Sequence, residues 1–462
     1  MANFVDVKNN KTLGVFALVM MNLIAVGSLR SLSLAAIYGF SLVFFYLIAT
    51  IVFFIPSILV TAKLSTAFPS MGGPYIWIRE AFGARWGFWA VWLQWIYNVV
   101  WYPTIFSMMA AILAYLVDPQ LVNNKIYLLP AMLIMFWGVT IINCRGIKAS
   151  SLLSTICALL GTLLPMICII TLGIIWLLSG KPSQISFSME HFFPSKDHLN
   201  NLAFLSTLVF GLMGMEMTGV HAGDVKNPKQ DYPRALRYSG IIILITLMLG
   251  ALSIAIVVPI DQLNLASGVI DAFQIFFNAF HLSFLTPLFA GLIVIGGLGC
   301  ASTWIMGTAR GMSIASHDNA LPAILRKMNG NNMPIGILLL QGLIFTLLCS
   351  LFLLMPTINA SFWILSNLTA QLALLFYLML FTAAIRLQLK PCNKERIDKI
   401  PGGKFSLNIL SGLGILSCLT IFVLGFLPST QVPTQHVLIY EMMLMGGILF
   451  FIGLPIIFTK RS

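Results

Sequence analysis

Twelve apolar runs, each close to the length that crosses a bilayer, follow one another along this chain, at 13–36, 40–62, 86–117, 126–143, 149–179, 201–222, 238–259, 284–316, 336–355, 361–385, 405–427 and 436–458. A helix needs about 20 consecutive apolar residues to span the hydrocarbon layer, and inside that layer every backbone polar group must be satisfied within the protein. The fold class that follows is all-α and membrane-embedded, with about twelve transmembrane helices. Composition agrees: 59% of the 462 residues are hydrophobic and 9% are charged, where a soluble globular chain carries about 25% charged residues. That is too little polar surface to coat a water-soluble body of this length. Disorder and a disulfide-stapled secreted module are excluded on the same grounds. The seven cysteines show no CxxC pairing and read as small packing residues. The short polar stretch 1–12 has no cleavage-site pattern behind it, so the first run reads as an uncleaved span.

The net charge of +12 would suggest nucleic acid in a soluble protein, but its placement gives another cause. Counting the N-terminus and alternate connections as one side puts 22 of the 26 Lys and Arg residues there. Lys125, Lys181 and Lys196 lie on the other side, and Arg30 lies within a run. Cytoplasmic connections of membrane proteins carry this excess. The expectation is an even number of spans with both termini cytoplasmic, in the cell inner (plasma) membrane, and no nucleic-acid partner. No phosphate-binding GxxxxGK[ST] loop and no HExxH zinc motif is present, and the longest hydrophilic connection lies around 386–404. Transporter, channel and lipid-modifying enzyme remain. A channel calls for rings of like residues around one pore, and an enzyme for a clustered nucleophile, base or metal set. Neither pattern is visible, so the chain is read as a non-enzyme that needs no cofactor or metal.

Two runs combine an ionisable residue with helix-weakening neighbours: Gly27-Ser28-Leu29-Arg30-Ser31 in the first, and Phe210 through Glu216 (FGLMGME) in the sixth. A charge at mid-bilayer costs about 2.5–3.5 kcal/mol on insertion scales and normally faces a cavity or a partner. A backbone that leaves helical geometry there is tolerated where it lines a cavity or is buried in protein. One broken helix opening each half, five runs apart, is the arrangement of an inverted repeat. The expected organisation is a single transporter domain over 1–462, with a first repeat at 13–179, an inverted second repeat at 201–385 and two further helices at 405–458. A plain Arg30–Glu216 ion pair is the structural alternative.

Three further stretches carry a family resemblance. Phe68 through Gly83 (FPSMGGPYIWIREAFG) is similar to an FPxxGGxYxW segment. Gly214-Met215-Glu216 with Asp224 through Leu236 (DVKNPKQDYPRAL) is similar to a GxE…KNPxxxxPRA signature. Arg310 with His317 through Pro322 (HDNALP) is similar to an R…xDxxLP element. In this order the chain resembles the amino acid–polyamine–organocation (APC) superfamily over nearly its whole length, and within it the glutamate/γ-aminobutyrate antiporter branch. The resemblance implies a LeuT-type fold of five plus five inverted helices, alternating access, and an amino acid substrate held between segments 1, 3, 6, 8 and 10.

The resemblance also implies site residues. Gly27 and Ser28 match the start of a glycine–serine–glycine loop whose amides hold the α-carboxylate, with Leu29 in place of the third glycine. Glu216 matches a glutamate of the sixth segment and is the proton-coupling candidate. Phe210 falls on an aromatic gate, Trp304 on a tryptophan of the eighth segment and Asn98 on a substrate-facing asparagine of the third. Gly211 and Gly214 belong to the sixth-segment break, whose carbonyls would take the α-ammonium. Thr162 stands where sodium-independent relatives carry a lysine, and Arg30 is expected either to replace that charge or to bind an acidic side chain bidentately. Ser302 and Thr303 offer hydroxyls for sodium, which a nearby guanidinium would repel. Pro56, Pro103 and Pro165 read as kinks, and His221 and His317 as solvated. The chain stops soon after the twelfth run, so an acid-gated C-terminal plug is not expected. The function expected is secondary active transport of an amino acid such as glutamate, by exchange or proton symport, with a polyamine or cationic amino acid permease as the alternative.

Overall fold

The computed structural model describes residues 13–68, 72–145, 157, 159–194, 202–315, 321–331, 333–355, 357–390, 403–427 and 437–459, with the backbone alone at 220–224, 315, 403–406 and 457–459. The expected points at Pro69–Met71, at the side chains of His221 and Asp224, and at His317 and Asp318 lie outside the described residues. Among the described residues the protein is helical, with one isolated parallel bridge, Leu13 to Val225.

Numbered by the apolar runs, ten segments are continuous helices long and apolar enough to cross a membrane: Gly39–Ala67 (segment 2), Ala84–Ala114 (3), Lys125–Cys144 (4), Leu159–Leu178 (5), Pro228–Val257 (7), Leu285–Ile314 (8), Ile335–Leu354 (9), Ile358–Leu389 (10), Leu407–Leu424 (11) and Val437–Ile456 (12). Segment 1 is two helices, Val15–Val26 and Arg30–Ala36, bent by 57° at the break, and an eleventh crossing if counted as one. Ten or eleven of the expected twelve runs thus pass as crossings among the described residues. Segment 6 has only a short apolar stretch, Phe204–Gly219, because its α-helix stops at Phe210.

Lipid-facing surface explains why these helices are apolar all round. On segment 9, Leu339, Leu343 and Leu347 are exposed at four-residue spacing, and on segment 11 Leu416, Leu419 and Val423 form a similar stripe. A soluble helix puts polar residues on that face. Segment 3 is the centre of the bundle, with 94% of its most apolar window buried, whereas segment 12 has 22% buried. Polar side chains tie helices together inside: Asn22 Nδ2 donates to Ser239 Oγ at 3.0 Å, Trp95 Nε1 to Gln341 Oε1 at 3.2 Å and Ser206 Oγ to Asn367 Oδ1 at 2.7 Å. Segments 5 and 8 meet backbone to backbone, since a Cβ on Gly161 would fall 2.2 Å from the Gly296 amide nitrogen. Small residues permit such approach in membrane bundles.

Two of the three prolines expected to kink helices follow a π-turn: Thr50–Phe54 precedes Pro56, and Leu159–Leu163 precedes Pro165. A proline ring clashes with the carbonyl four residues back and cannot donate to it. The widened turn moves that carbonyl aside.

The connections sort into two ends. At one end Lys226 N donates to Leu13 O at 3.0 Å, Asn329 Nδ2 to Cys144 O at 2.8 Å and Lys390 Nζ to the Glu80 carbonyl. At the other, Lys125 Nζ donates to Met355 O at 2.5 Å, Gln184 N to Ile256 O at 2.8 Å and Leu265 N to Asn359 Oδ1 at 3.1 Å. Each contact joins connections that the Lys/Arg count places on one side.

Candidate functional site

Segment 1 unwinds at a glycine for a local steric reason. Gly27 N closes the helix on Leu23 O at 2.9 Å, and a Cβ at Gly27 would sit 2.6 Å from that same oxygen. At φ −72° and ψ 57° Gly27 forms an inverse γ-turn, and Ser28 N donates to Val26 O at 2.7 Å. Ser31 returns to cap the break, with its Oγ donating to Ser28 O at 2.8 Å. The amides expected to be open, those of Gly27 and Ser28, are thus engaged. Those of Leu29 and Arg30 make no backbone hydrogen bond among the described residues. Carbonyls left by the first helix are met by segment 8, where Trp304 Nε1 donates to Ala25 O at 3.0 Å and Cys300 Sγ to Ile24 O at 3.3 Å.

Segment 6 breaks differently. After Phe210 the chain turns through Gly211 and Leu212, reaches Gly214 at φ +117°, and continues as a 3₁₀-helix, Met215–Asp224. That φ is left-handed territory where a side chain is strained. A Cβ would also lie 3.1 Å from the Trp304 ring and 3.2 Å from Val26. Segment 10 holds this break: the Gly214 amide donates to Tyr377 Oη at 2.9 Å, and the Tyr377 hydroxyl donates to Glu216 Oε2. Gln94 Nε2 of segment 3 lies 3.5 Å from Glu216 Oε1. The carbonyls of Gly211 and Met213 accept no backbone hydrogen bond among the described residues.

The two breaks lie side by side, a Cβ on Gly211 being 3.1 Å from Ser31 Cβ, and a cavity opens between them. Its lining is Ala25, Val26, Ser28, Arg30 and Ser31 of segment 1, Tyr97, Asn98 and Trp101 of segment 3, Phe210, Gly211 and Met213 of segment 6, and Trp304 of segment 8. Aromatic rings form its walls, with Tyr97 edge-on to Phe210 at 6.2 Å and Trp101 edge-on to Trp304 at 6.3 Å between centroids. The water-accessible space is about 30 Å³. That is room for about two waters, where ligand pockets typically measure about 300–1,000 Å³.

Arg30 and Glu216 are both buried, and they do not pair. Arg30 is 2% exposed and donates from Nη1 to Ser366 Oγ of segment 10 at 3.0 Å. Its guanidinium carbon lies 5.6 Å from the Phe210 ring centre and 5.7 Å from that of Phe362. Arg30 Nε is buried with no hydrogen-bond partner, and among the described residues no carboxylate faces the guanidinium. Glu216 answers to Tyr377 and Gln94 instead. The plain ion pair is not what holds these two charges.

Of the expected site residues, Ser28, Arg30, Asn98, Phe210, Gly211 and Trp304 line the one cavity. Gly27, Gly214 and Glu216 shape the breaks from just behind it. Asn98 donates to Gln94 O of its own helix at 2.8 Å. The hydroxyls expected as sodium ligands are bonded within the protein, Ser302 Oγ to Asn143 Oδ1 at 2.8 Å and Thr303 Oγ1 to Gly299 O at 3.0 Å. Sequence reasoning missed Tyr97, Trp101 and Met213 on the lining, and Gln94, Phe362, Ser366 and Tyr377 behind it. Tyr97 and Trp101 had a signal, since they flank Asn98 at helical spacing. Ser366 had none that set it apart from other hydroxyls of its run.

A family model described as amino acid permease matches residues 11–448. The chain belongs to the amino acid permease family. This permease of the APC superfamily is 48% identical over 453 residues to an uncharacterized transporter of Legionella pneumophila, covering 98% of this chain and 97% of that one. It is 29% identical to the glutamate/γ-aminobutyrate antiporter of Lactococcus lactis strain IL1403, over 87% of this chain and 81% of the other. With a probable agmatine/putrescine antiporter of the same strain it shares 26% identity, over 87% and 84% of the two chains. The permease is thus a multi-pass membrane protein of a transporter family, embedded in lipid and acting on a small molecule.

Proposed function

We propose that this permease is a secondary active transporter of acidic amino acids such as glutamate, working by exchange or proton symport through alternating access. The observation that carries the reading is the Arg30 guanidinium, buried beside the cavity with Nε unpartnered and no carboxylate facing it among the described residues. Removing a charge from water costs several kcal/mol even after relaxation, and an opposite charge in good geometry offsets it. A substrate side-chain carboxylate is planar and matches the guanidinium fork bidentately.

The substrate backbone would lie across the two breaks. The unengaged amides of Leu29 and Arg30 would take the α-carboxylate, a short step from Gly27 and Ser28, and the carbonyls of Gly211 and Met213 would take the α-ammonium. Asn98 would supply a further polar contact, with Phe210 and Trp304 closing over the ligand. Glu216, held through Tyr377 to the Gly214 amide, would keep the sixth segment broken and carry the proton in symport. Both five-segment halves begin with a broken helix, which supports reading 13–179 and 201–385 as inverted repeats with segments 11 and 12 appended. The Lys/Arg-rich end would face the cytoplasm across a plasma membrane.

Relatives named for glutamate/γ-aminobutyrate exchange and for agmatine/putrescine exchange match similar shares of the chain, which keeps a polyamine or cationic amino acid permease as the second reading. A guanidinium on the cavity lining opposes a dication by repulsion. Counterflow in proteoliposomes separates the two: a panel of amino acids and amines, with and without a pH step and sodium. The proposal expects glutamate to exchange and putrescine and agmatine to be excluded. Exchange confined to the amines would reverse the assignment.

A further inference from the structure

At the Lys/Arg-rich end, away from the cavity between the breaks, a second open pocket of about 580 Å³ lies between the last turns of segment 10 and the helix Pro74–Phe82. Its lining is Phe82 with Thr382, Ile385, Arg386, Leu389 and Lys390. Thr382, Ile385, Arg386 and Leu389 lie three or four residues apart along segment 10 and form one stripe on that helix, and Lys390 follows directly as its extended C-cap. Polar and apolar character are graded along it: a hydroxyl, an aliphatic wall, then two cations one turn apart. Arg386 lies 4.9 Å over the Phe82 ring, which holds the guanidinium at the pocket wall. Lys390 reaches the Glu80 backbone carbonyl, so its ammonium is held at the rim. Neither cation has a carboxylate partner among the described residues. Next to the pocket, at the start of segment 3, Arg85 is exposed and Trp86 is 52% exposed, its ring paired with Phe82 at 6.2 Å between centroids. Leu389 is 73% exposed, so the wall continues onto the lipid-facing surface.

An exposed tryptophan with cations above an apolar face marks the depth of lipid headgroups, and basic pockets between helices at such a level take anionic headgroups. We infer that this pocket binds an anionic phospholipid, with its phosphate between Arg386 and Lys390 and an acyl chain along Ile385 and Leu389. A soluble phosphate would meet the same cations but would not use the aliphatic wall or Trp86.

Native mass spectrometry of the full chain released from nanodiscs that mix phosphatidylglycerol and phosphatidylcholine tests this directly. Wild type should retain phosphatidylglycerol in preference. That preference should fall roughly fivefold for each cation removed, in R386Q, in K390Q and in the double variant. K181Q removes a cation at the other end of the molecule and should leave the preference as in wild type. Melting temperatures of the variants report whether they are folded, and the single substitutions stand in if the double variant is not. Equal retention of the two lipids by wild type, or an unchanged preference in the folded variants, would overturn the inference. Loss of the preference in millimolar inorganic phosphate would overturn it too, in favour of a soluble anion.

Discussion

Arg30 and Glu216 lie in two adjacent breaks, yet each is tied to segment 10 by its own partner, Ser366 for the arginine and Tyr377 for the glutamate. Tyr377 does two things through one oxygen, accepting from the Gly214 amide and donating to Glu216. Replacing it by Phe takes one hydrogen bond from a buried carboxylate and one from a buried amide, each worth about 0.5–1.5 kcal/mol net and more at the charged group. A lower melting temperature in detergent is expected for Y377F, together with weaker exchange, and an unchanged melting curve would count against this role. The expected residues Arg30, Asn98 and Trp304 were legible because a charge, an amide or a motif-placed indole stands out in an apolar run. Ser366 and Tyr377 were not, since their partners lie 336 and 161 residues away in the chain. Nothing local in sequence records such a contact.

Among elements, the positions of the two breaks could be read from glycine and charge, but their shapes could not. Segment 1 bends through a γ-turn at negative φ, whereas segment 6 needs a left-handed glycine and resumes as a 3₁₀-helix. The π-turns ahead of Pro56 and Pro165 were equally hidden, because the wider turn answers a clash that arises only once the helix forms. Substitution by Ala should sort these glycines. G214A meets both the φ of +117° and the Trp304 ring, and G27A meets the Leu23 carbonyl oxygen at 2.6 Å, so both should lose exchange and melt lower. Nothing lies within 4 Å of a Cβ at Gly138, so G138A should leave exchange and melting unchanged; a neutral G214A would contradict the account.

A pH effect belongs to the shorter helix Gly268–Ala279, which is not among the long apolar ones. Its Asp271 accepts from Tyr115 Oη and, at 2.8 Å, from Ser267 Oγ. Burial raises its carboxyl above the usual range, against the pull of those two bonds. A raised folded pKa gives stability that is full below the unfolded value and is lost as pH rises through the folded one. D271N should flatten that part of the melting-versus-pH curve, and a slope equal to wild type would show that Asp271 does not set it.

For the whole molecule, sequence charge sorted the connections into two ends, because each connection can only return to the end from which its helix left. Ten continuous helices and one bent pair are long and apolar enough to cross among the described residues, and segment 6 is shorter because its α-helix breaks after Phe210. The size of the cavity was not legible at all, being the residue of side chains from four segments packing together. At about 30 Å³ it must widen to admit an amino acid, and a ligand can drive that change only by its differential affinity for the states. Asn98→Cys tests this against wild type, whose Cys300 is buried. Labelling by a membrane-impermeant thiol reagent should be slowed severalfold by saturating substrate, and equal rates would place Asn98 off the substrate's path.

The central claim, that the Arg30 guanidinium receives a substrate carboxylate, is tested most directly by glutamate counterflow in R30A and R30K proteoliposomes, with putrescine measured alongside. Two charge-assisted hydrogen bonds at about 1.5 kcal/mol or more each predict a loss of at least about a hundredfold in glutamate exchange for R30A. R30K, which keeps the charge without the fork, should fall in between, and putrescine should gain or stay excluded. Undiminished glutamate exchange in a folded R30A protein would contradict the account.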